Sequence, residues 1–293
     1  MVMDHEMYPV LYEAADSASV GAQRRYLGYI RVNSFLLIAA TGLGVYGIND
    51  RPSAIGAALL IIGAMVVSIF MILTKEEEVW YRARAVAESV KSLSWKFMMK
   101  SEPFADDKAR AKASGVFRDI LKSILAGHQD ISHALSGQVV AAEQISKKMF
   151  EVRDSSLKER IEFYKLNRIE NQLSWYSRKS IFNRNQGQLW FSVLLGTQAI
   201  AVLFVVLRVA YPGFKFWPAE LFVVAAGSAL SWIQTRKFRE LASAYAVTAH
   251  EIGLVRSELD EVHDEERFAQ FVADSESAFS REHTQWHARK NLG

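Results

Sequence analysis

The chain contains no cysteine, which excludes a disulfide framework, a thiolate metal site and a cysteine nucleophile. Proline is also scarce. There are five in 293 residues and none between Pro103 and Pro212, so nothing of that kind interrupts a series of helices there. A decisive excess of one charge is missing as well. The net charge of +3 does not by itself point to nucleic acid, and no direct nucleic-acid partner is expected. The opening stretch, MVMDHEMYPVLYEAAD, is acidic and has no basic region before an apolar core, so no cleavable signal peptide is expected.

Catalytic patterns are missing too. No Walker A loop, nucleophile elbow or spaced acid pair occurs, and Glu76 to Glu78 read as a solvated face. Residues 42–47, GLGVYG, match the dinucleotide fingerprint formally, but they lie inside an apolar run with no strand before them. His283 and His287 stand four apart with no third ligand evident, so no metal site is assigned. No cofactor and no enzymatic activity are expected.

What the chain does have is segregation. Half of its residues are hydrophobic, yet mean hydropathy is +0.02, because apolar runs alternate with long charged stretches. The run from Ala54 to Leu73 is uncharged and, at about 1.5 Å per residue, long enough for a hydrocarbon core of about 30 Å. Asn33 to Ile48 precedes it, and the intervening NDRP has the chemistry of a tight turn. Leu189 to Leu207 forms a third uncharged run. The fourth, FWPAELFVVAAGSALSWIQ, is weaker because Glu220 stands near its start, although Trp217 and Trp232 suit the two interfaces.

These runs predict an all-α membrane protein with four transmembrane helices in two hairpins, joined to long cytoplasmic helical stalks. The spans fall at about 30–48, 54–73, 189–207 and 216–234. Basic residues flank each pair: Arg24, Arg25 and Arg31, then Lys75, Arg82 and Arg84; later Arg178, Lys179 and Arg184, then Arg236, Lys237 and Arg239. The turns carry fewer, Arg51 in one and Arg208 and Lys215 in the other. The positive-inside rule therefore places both termini and the middle of the chain in the cytoplasm of a multi-pass inner-membrane protein.

The two hairpins read as an internal duplication of the same polarity. Tyr26 and Asn33 stand seven apart before the first, as do Tyr176 and Asn183 before the second; each turn has a proline, Pro52 or Pro218, and each return helix a glycine, Gly63 or Gly227. The expected segments are a first unit at 1–103, a helical connector at 104–155, a second unit at 156–262, and at 263–293 a tail helix that frays and contacts a neighbouring subunit or partner. Helices are expected at about 106–126 and 130–152, and from 156 into the third span, with Asp154 or Ser155 capping the last.

Before the third span, Arg168, Gln172, Trp175, Lys179 and Phe182 follow one another at spacings of four and three, which makes a helical stripe. Tyr176 and Asn183 accompany it. Two readings stand: packing of one stalk against another, or a polar vestibule leading to a pore. Small residues allow close helix approach in lipid, and Ala40 with Gly44, Gly63, and Ala225 with Ala229 are the candidates. Glu220 is the carboxylate nearest lipid, a candidate for ion passage that is also placed to reach water.

The stretch ISKKMFEVRDSSLKERIEFYKLNRIENQLSWYSRKSIFNRNQ resembles the SLATT family of two-transmembrane effector domains. The resemblance rests on Arg153, Arg160, Tyr164, Arg168, Ile169, Gln172, Trp175, Tyr176, Lys179 and Asn183. WYRARAVAESVKSLSWKFMMKSEPF, with Trp80, Arg82, Glu88, Lys91 and Trp95, is similar to the family's post-membrane helix. The resemblance implies two such units in one chain and a membrane effector associated with nucleotide-sensing bacterial conflict systems. The activity it implies is to open pores or disrupt the inner membrane when a partner senses phage infection, arresting or killing the cell. Its expected partners are the lipid bilayer, further copies of itself, and a cytoplasmic sensor or enzyme encoded nearby. Two alternatives are an adaptor that anchors a cytoplasmic defence enzyme, and an ion channel or transporter.

Overall fold

The computed structural model describes residues 7–46, 50–105, 110–135, 144–214 and 216–290, with side chains at all of these except 132–133 and 280–290. Helices dominate, and no strand occurs among the described residues. In chain order they are α1 Val10–Tyr46, α2 Arg51–Thr74, α3 Glu76–Met98, α4 Arg110–Ala126, α5 Ser132–Leu135, α6 Lys147–Asp154, α7 Leu157–Tyr164, α8 Asn171–Ala210, α9 Ala219–Arg236, α10 Phe238–Leu259 and α11 Glu265–Lys290. A π-helical stretch, Lys165–Glu170, joins α7 to α8.

Helix ends follow local chemistry. Asp50 caps α2, its Oδ2 accepting from the Ser53 amide at 3.1 Å and from Ser53 Oγ at 2.6 Å. Pro52 sits in the first turn, where a missing N–H costs nothing. The predicted cap of the helix entering the third span is shifted by one. Ser156 is the N-cap, in a capping box with Glu159, because Asp154 ends α6 and Ser155 closes it. The single helix expected at 130–152 is not continuous: a 3₁₀ turn spans Gln129–Ile131, α5 is four residues long, and Ser146 starts α6 afresh by accepting from the Met149 amide at 3.2 Å. Such capping hydroxyls favour new starts over helix continuation. Ile48, an expected span end, and Lys215, in an expected turn, lie outside the described residues.

The described chain divides into two compact units, each assembled from separated segments. One comprises residues 24–76 and 176–248. Here α2 runs antiparallel to α1: Ser68 Oγ lies 3.4 Å from Asn33 Oδ1, and β-carbons built at Gly63 and Gly56 would stand 3.6 and 3.2 Å from the Leu36 and Leu43 side chains. In the same way α9 runs antiparallel to α8, with Trp190 5.9 Å from Trp232 and Phe204 5.5 Å from Phe222 between ring centroids. Leu194, Ala226 and Ala229 form the small core of that pair. Contacts of Arg31 with Trp232 and of Gly42 with Leu221 lay α1 along α9, completing a four-helix bundle.

Three helical stretches are long and apolar enough to cross a membrane: Val10–Tyr46, Arg51–Met98 and Leu157–Ala210. Their apolar windows are almost wholly unburied by the rest of the chain. Ile55, Leu59, Met65, Phe70 and Leu73 of α2 are all more than half exposed. α9 is an 18-residue helix carrying Glu220 in its first turn.

The other unit comprises residues 1–23, 77–175 and 249–293 and has an ordinary buried core built from Met7, Trp95, Phe97, Met98, Met99, Phe104, Phe117, Tyr164 and Phe268. The Phe97 ring stands edge-on to those of Phe104, Phe117 and Phe150, at centroid distances of 5.4, 5.1 and 5.6 Å. The tail expected to fray contributes to this core: Phe268, Val272 and Glu276 of α11 are fully buried and Phe279 nearly so. Their spacing of four, four and three makes one apolar face, broken by Glu276.

Candidate functional site

Three arginines, Arg153 and Arg160 named by the resemblance alone and Arg168 also by the helical stripe, are buried struts of that core. Arg153 donates to the carbonyls of Phe97 at 2.6 Å and Phe104 at 3.0 Å, pinning the turn after α3. Arg160 donates to the Met99 carbonyl at 3.2 Å and pairs with Glu265 at the start of α11. Arg168 binds Glu276 through both carboxylate oxygens, Nε at 2.7 Å and one terminal nitrogen at 2.6 Å, where both side chains are essentially inaccessible.

Tyr164 and Tyr8 complete this polar knot. Tyr164 donates to Glu276 at 2.9 Å, and the Trp95 indole N–H donates to Tyr8 Oη at 3.2 Å. Desolvation opposes the Arg168 charge, but the charge and hydrogen bonds of Glu276 outweigh it and hold the guanidinium above its usual value. Desolvation pushes the Tyr8 and Tyr164 phenols upward, with the Glu276 charge adding to it in both. Lys91 is lowered by desolvation, against the opposing pull of Glu88. Arg168 lies in the π turn Lys165–Glu170, four residues after Tyr164, and both side chains reach Glu276 of α11.

The post-membrane positions gather along α3 of the same unit. Trp80 stacks on Tyr81 at 4.6 Å, and its carbonyl accepts from Ser19 at 3.3 Å. Arg82 pairs with Glu78 and Asp130. Glu88 is buried and bound by Arg84 at 2.5 Å, and Arg84 also faces Asp16 at 3.5 Å. Trp95 is fully buried, its ring 5.5 Å from that of Tyr164.

The stalk stripe is divided between the two units. Arg168 lies in the buried knot, Gln172 and Trp175 are half-buried, and Phe182 is exposed. Tyr176 is buried against Tyr245 at 5.6 Å, and Lys179 is exposed with its ammonium 5.7 Å from the Phe182 ring. Asn183 is buried and turned back to the Lys179 carbonyl at 2.7 Å. α8 itself is one 40-residue helix, so the polar segment and the apolar run are continuous.

Glu220 does not stand alone. It pairs at 3.2 Å with Arg208, which belongs to the last turn of α8, and both are about half exposed. Among the small residues, Ala40 and Ala229 are buried and Gly63 meets Leu36; Gly44 has open space where a β-carbon would stand, and Ala226 is more buried than Ala225. No His, Cys, Asp and Glu cluster fit for a metal occurs among the described residues, and the side chains of His283 and His287 lie outside them.

The sequence reading missed Tyr8 and Glu276. The heptad-like spacing of Phe268, Val272, Ser275 and Phe279 was the available signal for a packed α11, with Glu276 inside its apolar face.

The model of SMODS and SLOG-associating 2TM effector domain 3 matches residues 9–161, and that of SMODS and SLOG-associating 2TM effector domain 1 matches residues 164–286. No curated protein and no solved structure matches the chain.

Proposed function

The chain belongs to the SMODS and SLOG-associating two-transmembrane effector (SLATT) family, with two such domains in tandem, and on that premise we propose that it is a four-span inner-membrane effector of a bacterial anti-phage system. It forms or gates a pore, or disrupts the bilayer, on a signal from a cytoplasmic partner, and it does so without catalysis. Both termini and the unit built on residues 77–175 face the cytoplasm in this reading, and α9 is the fourth span.

The observation that carries the reading is the uncovered apolar surface of α1, α2 and α8. Exposed apolar area on this scale is destabilising in water and favourable in lipid. The Arg208–Glu220 pair supports α9 as a span, since two opposite charges at one helical turn reduce the cost of a carboxylate near lipid. A single bundle of four helices is too small to enclose a channel easily, so conduction requires several copies or a separation of the helix pairs.

The test is membrane potential, followed with a potential-sensitive dye in bacteria expressing the full chain, alone and with Glu220→Gln. Rapid depolarisation on induction is expected. An inserted chain that co-purifies with a cytoplasmic enzyme and leaves the potential unchanged would favour the adaptor reading instead.

A further inference from the structure

At one end of the four-helix bundle, two arginines face the same indole. The Arg31 guanidinium of α1 lies 5.0 Å from the Trp232 ring centroid, and that of Arg236, the last residue of α9, lies 5.7 Å from it. Arg236 also stands 5.4 Å from the Phe238 ring at the start of α10. Cation–π contact accounts for how each arginine is held against the rings, but not for two positive charges gathered at one tryptophan.

Neither guanidinium forms an ion pair with a described residue, and the charge acting most on Arg236 is that of Arg31, which is of like sign. Two donors of the cluster, the Trp232 indole N–H and Arg236 Nε, are buried and have no hydrogen-bond partner among the described residues. Buried donors without acceptors are costly, and more so where one is charged. The buried Arg153 and Arg160, by contrast, are held by carbonyls and a carboxylate, and Arg168 is paired with Glu276 although one of its terminal nitrogens has no partner. What this cluster lacks is an anion with several acceptor oxygens.

The apolar surroundings identify the source of that anion. Arg31 is exposed and is followed along α1 by the exposed Val32 and Phe35; Leu230, two residues before Trp232, is exposed as well. A ligand seated on the arginines and the indole would lay apolar chains along these residues. We infer that Arg31, Trp232 and Arg236 form a binding site for the phosphate of an anionic membrane phospholipid, seated where the apolar faces of α1 and α9 end. The inference rests on the reading of α9 as a membrane span.

The site is specific in its chemistry. Two guanidiniums and one indole N–H supply donors for the phosphate oxygens, while a zwitterionic headgroup would bring an ammonium against the arginines. A lipid held there would tie α1, a helix of the first domain, to α9, a helix of the second.

The experiment uses the purified full chain in mild detergent with equal phosphatidylglycerol and phosphatidylcholine, and lipid retention read by native mass spectrometry. The wild-type chain should retain phosphatidylglycerol preferentially and saturably. Arg31→Gln and Arg236→Gln should each weaken retention about fivefold, the size expected for one surface arginine at an anionic lipid. Trp232→Phe, which keeps a ring and removes the N–H, should weaken it less, and it serves where an arginine variant fails to fold.

Arg24→Gln, an exposed arginine outside the cluster, should leave retention unchanged. Equal loss in Arg24→Gln, or no loss in the three site variants, would overturn the inference by showing diffuse charge attraction. Displacement of the lipid by glycerol 3-phosphate at comparable concentration would overturn it in favour of a soluble phosphate ligand. A separate variant, Gly213→Cys in this cysteine-free chain, probed in cells with an impermeant thiol reagent, tests the span. Labelling from outside combined with insensitive retention sinks the lipid site alone, whereas no labelling from outside sinks the four-span reading.

Discussion

Lys75 and Lys237 hold the same left-handed backbone conformation, with φ of 48° and 46°, each at the point where the return helix of a pair gives way to the next helix. The Lys237 amide still donates to the Ile233 carbonyl at 2.9 Å, so the residue closes α9 before the chain sets off as α10. That the two domains break their helices alike, at a lysine in both cases, extends the duplication from sequence to backbone. Non-glycine residues rarely adopt this conformation, and the cost is about 1–2 kcal/mol.

Glycine at either lysine removes that cost while raising the freedom of the unfolded chain. Lys75→Gly and Lys237→Gly should therefore raise stability by a few tenths to about 1 kcal/mol, and Lys237→Val should lower it by more than 1 kcal/mol, roughly. Thermal unfolding of the purified chain in detergent reads both effects. A marked loss in the glycine variants would mean that the lysine side chains, and not the backbone, set the break.

The buried Arg168–Glu276 pair predicts strong non-additivity. Arg168→Met strands a carboxylate beside a fully buried tyrosine and should cost about 3–5 kcal/mol, as should Glu276→Leu for the stranded guanidinium. The double variant should recover most of the loss, and Tyr164→Phe should cost about 1 kcal/mol for the lost hydrogen bond to Glu276. A double-mutant cycle by denaturant unfolding measures the coupling, and additive single effects would contradict the buried pair.

Alkaline pH should act through three tyrosines. Desolvation raises Tyr12 to about 12, with Asp16 and Glu88 adding to the shift, and raises Tyr8 and Tyr164 as well. Because the folded values lie above the unfolded value near 10, the stability these groups contribute is fully present below about pH 10 and is lost as pH rises through the folded values. Tyrosinate absorbance should show three of the ten tyrosines lagging behind the rest until the chain unfolds. Ionisation of all ten together in a chain still helical by circular dichroism would refute it.

Of the glycines in α1 and α2, Gly56 is the most crowded, since a β-carbon there would stand 3.2 Å from Leu43 Cδ1, while Gly44 faces open space. Gly56→Val should destabilise by about 1–3 kcal/mol through overpacking, and Gly44→Val should be close to neutral. Melting temperatures of the two variants in one detergent decide it, and a Gly44→Val effect as large as that of Gly56→Val would mean the roles are reversed.

Much of the fold could be read along the chain. Apolar runs at Ala54–Leu73 and Leu189–Leu207 correspond to α2 and the second half of α8, and the Asp50 and Pro52 turn chemistry starts α2 where expected. The start of the helix before the third span was misplaced by one residue because three capping residues stand in a row, Asp154, Ser155 and Ser156, and only geometry selects among them. The helical stripe through Arg168 was harder to read. The stripe starts at Arg168 inside the π turn Lys165–Glu170, where the side chain is buried, and continues to Lys179, which is exposed, so one helical spacing joins positions in two different environments.

By itself, the sequence determined the helical class, the three apolar stretches, the cysteine-free chemistry and the doubling of one plan, since length, hydropathy and repeat are local or additive properties. Only the tertiary structure decided which charges are structural. Arg168 and Glu276 are 108 residues apart, and neither could be buried without the other. The desolvation cost of a charge is met by its partner in space, and no window along the chain contains both.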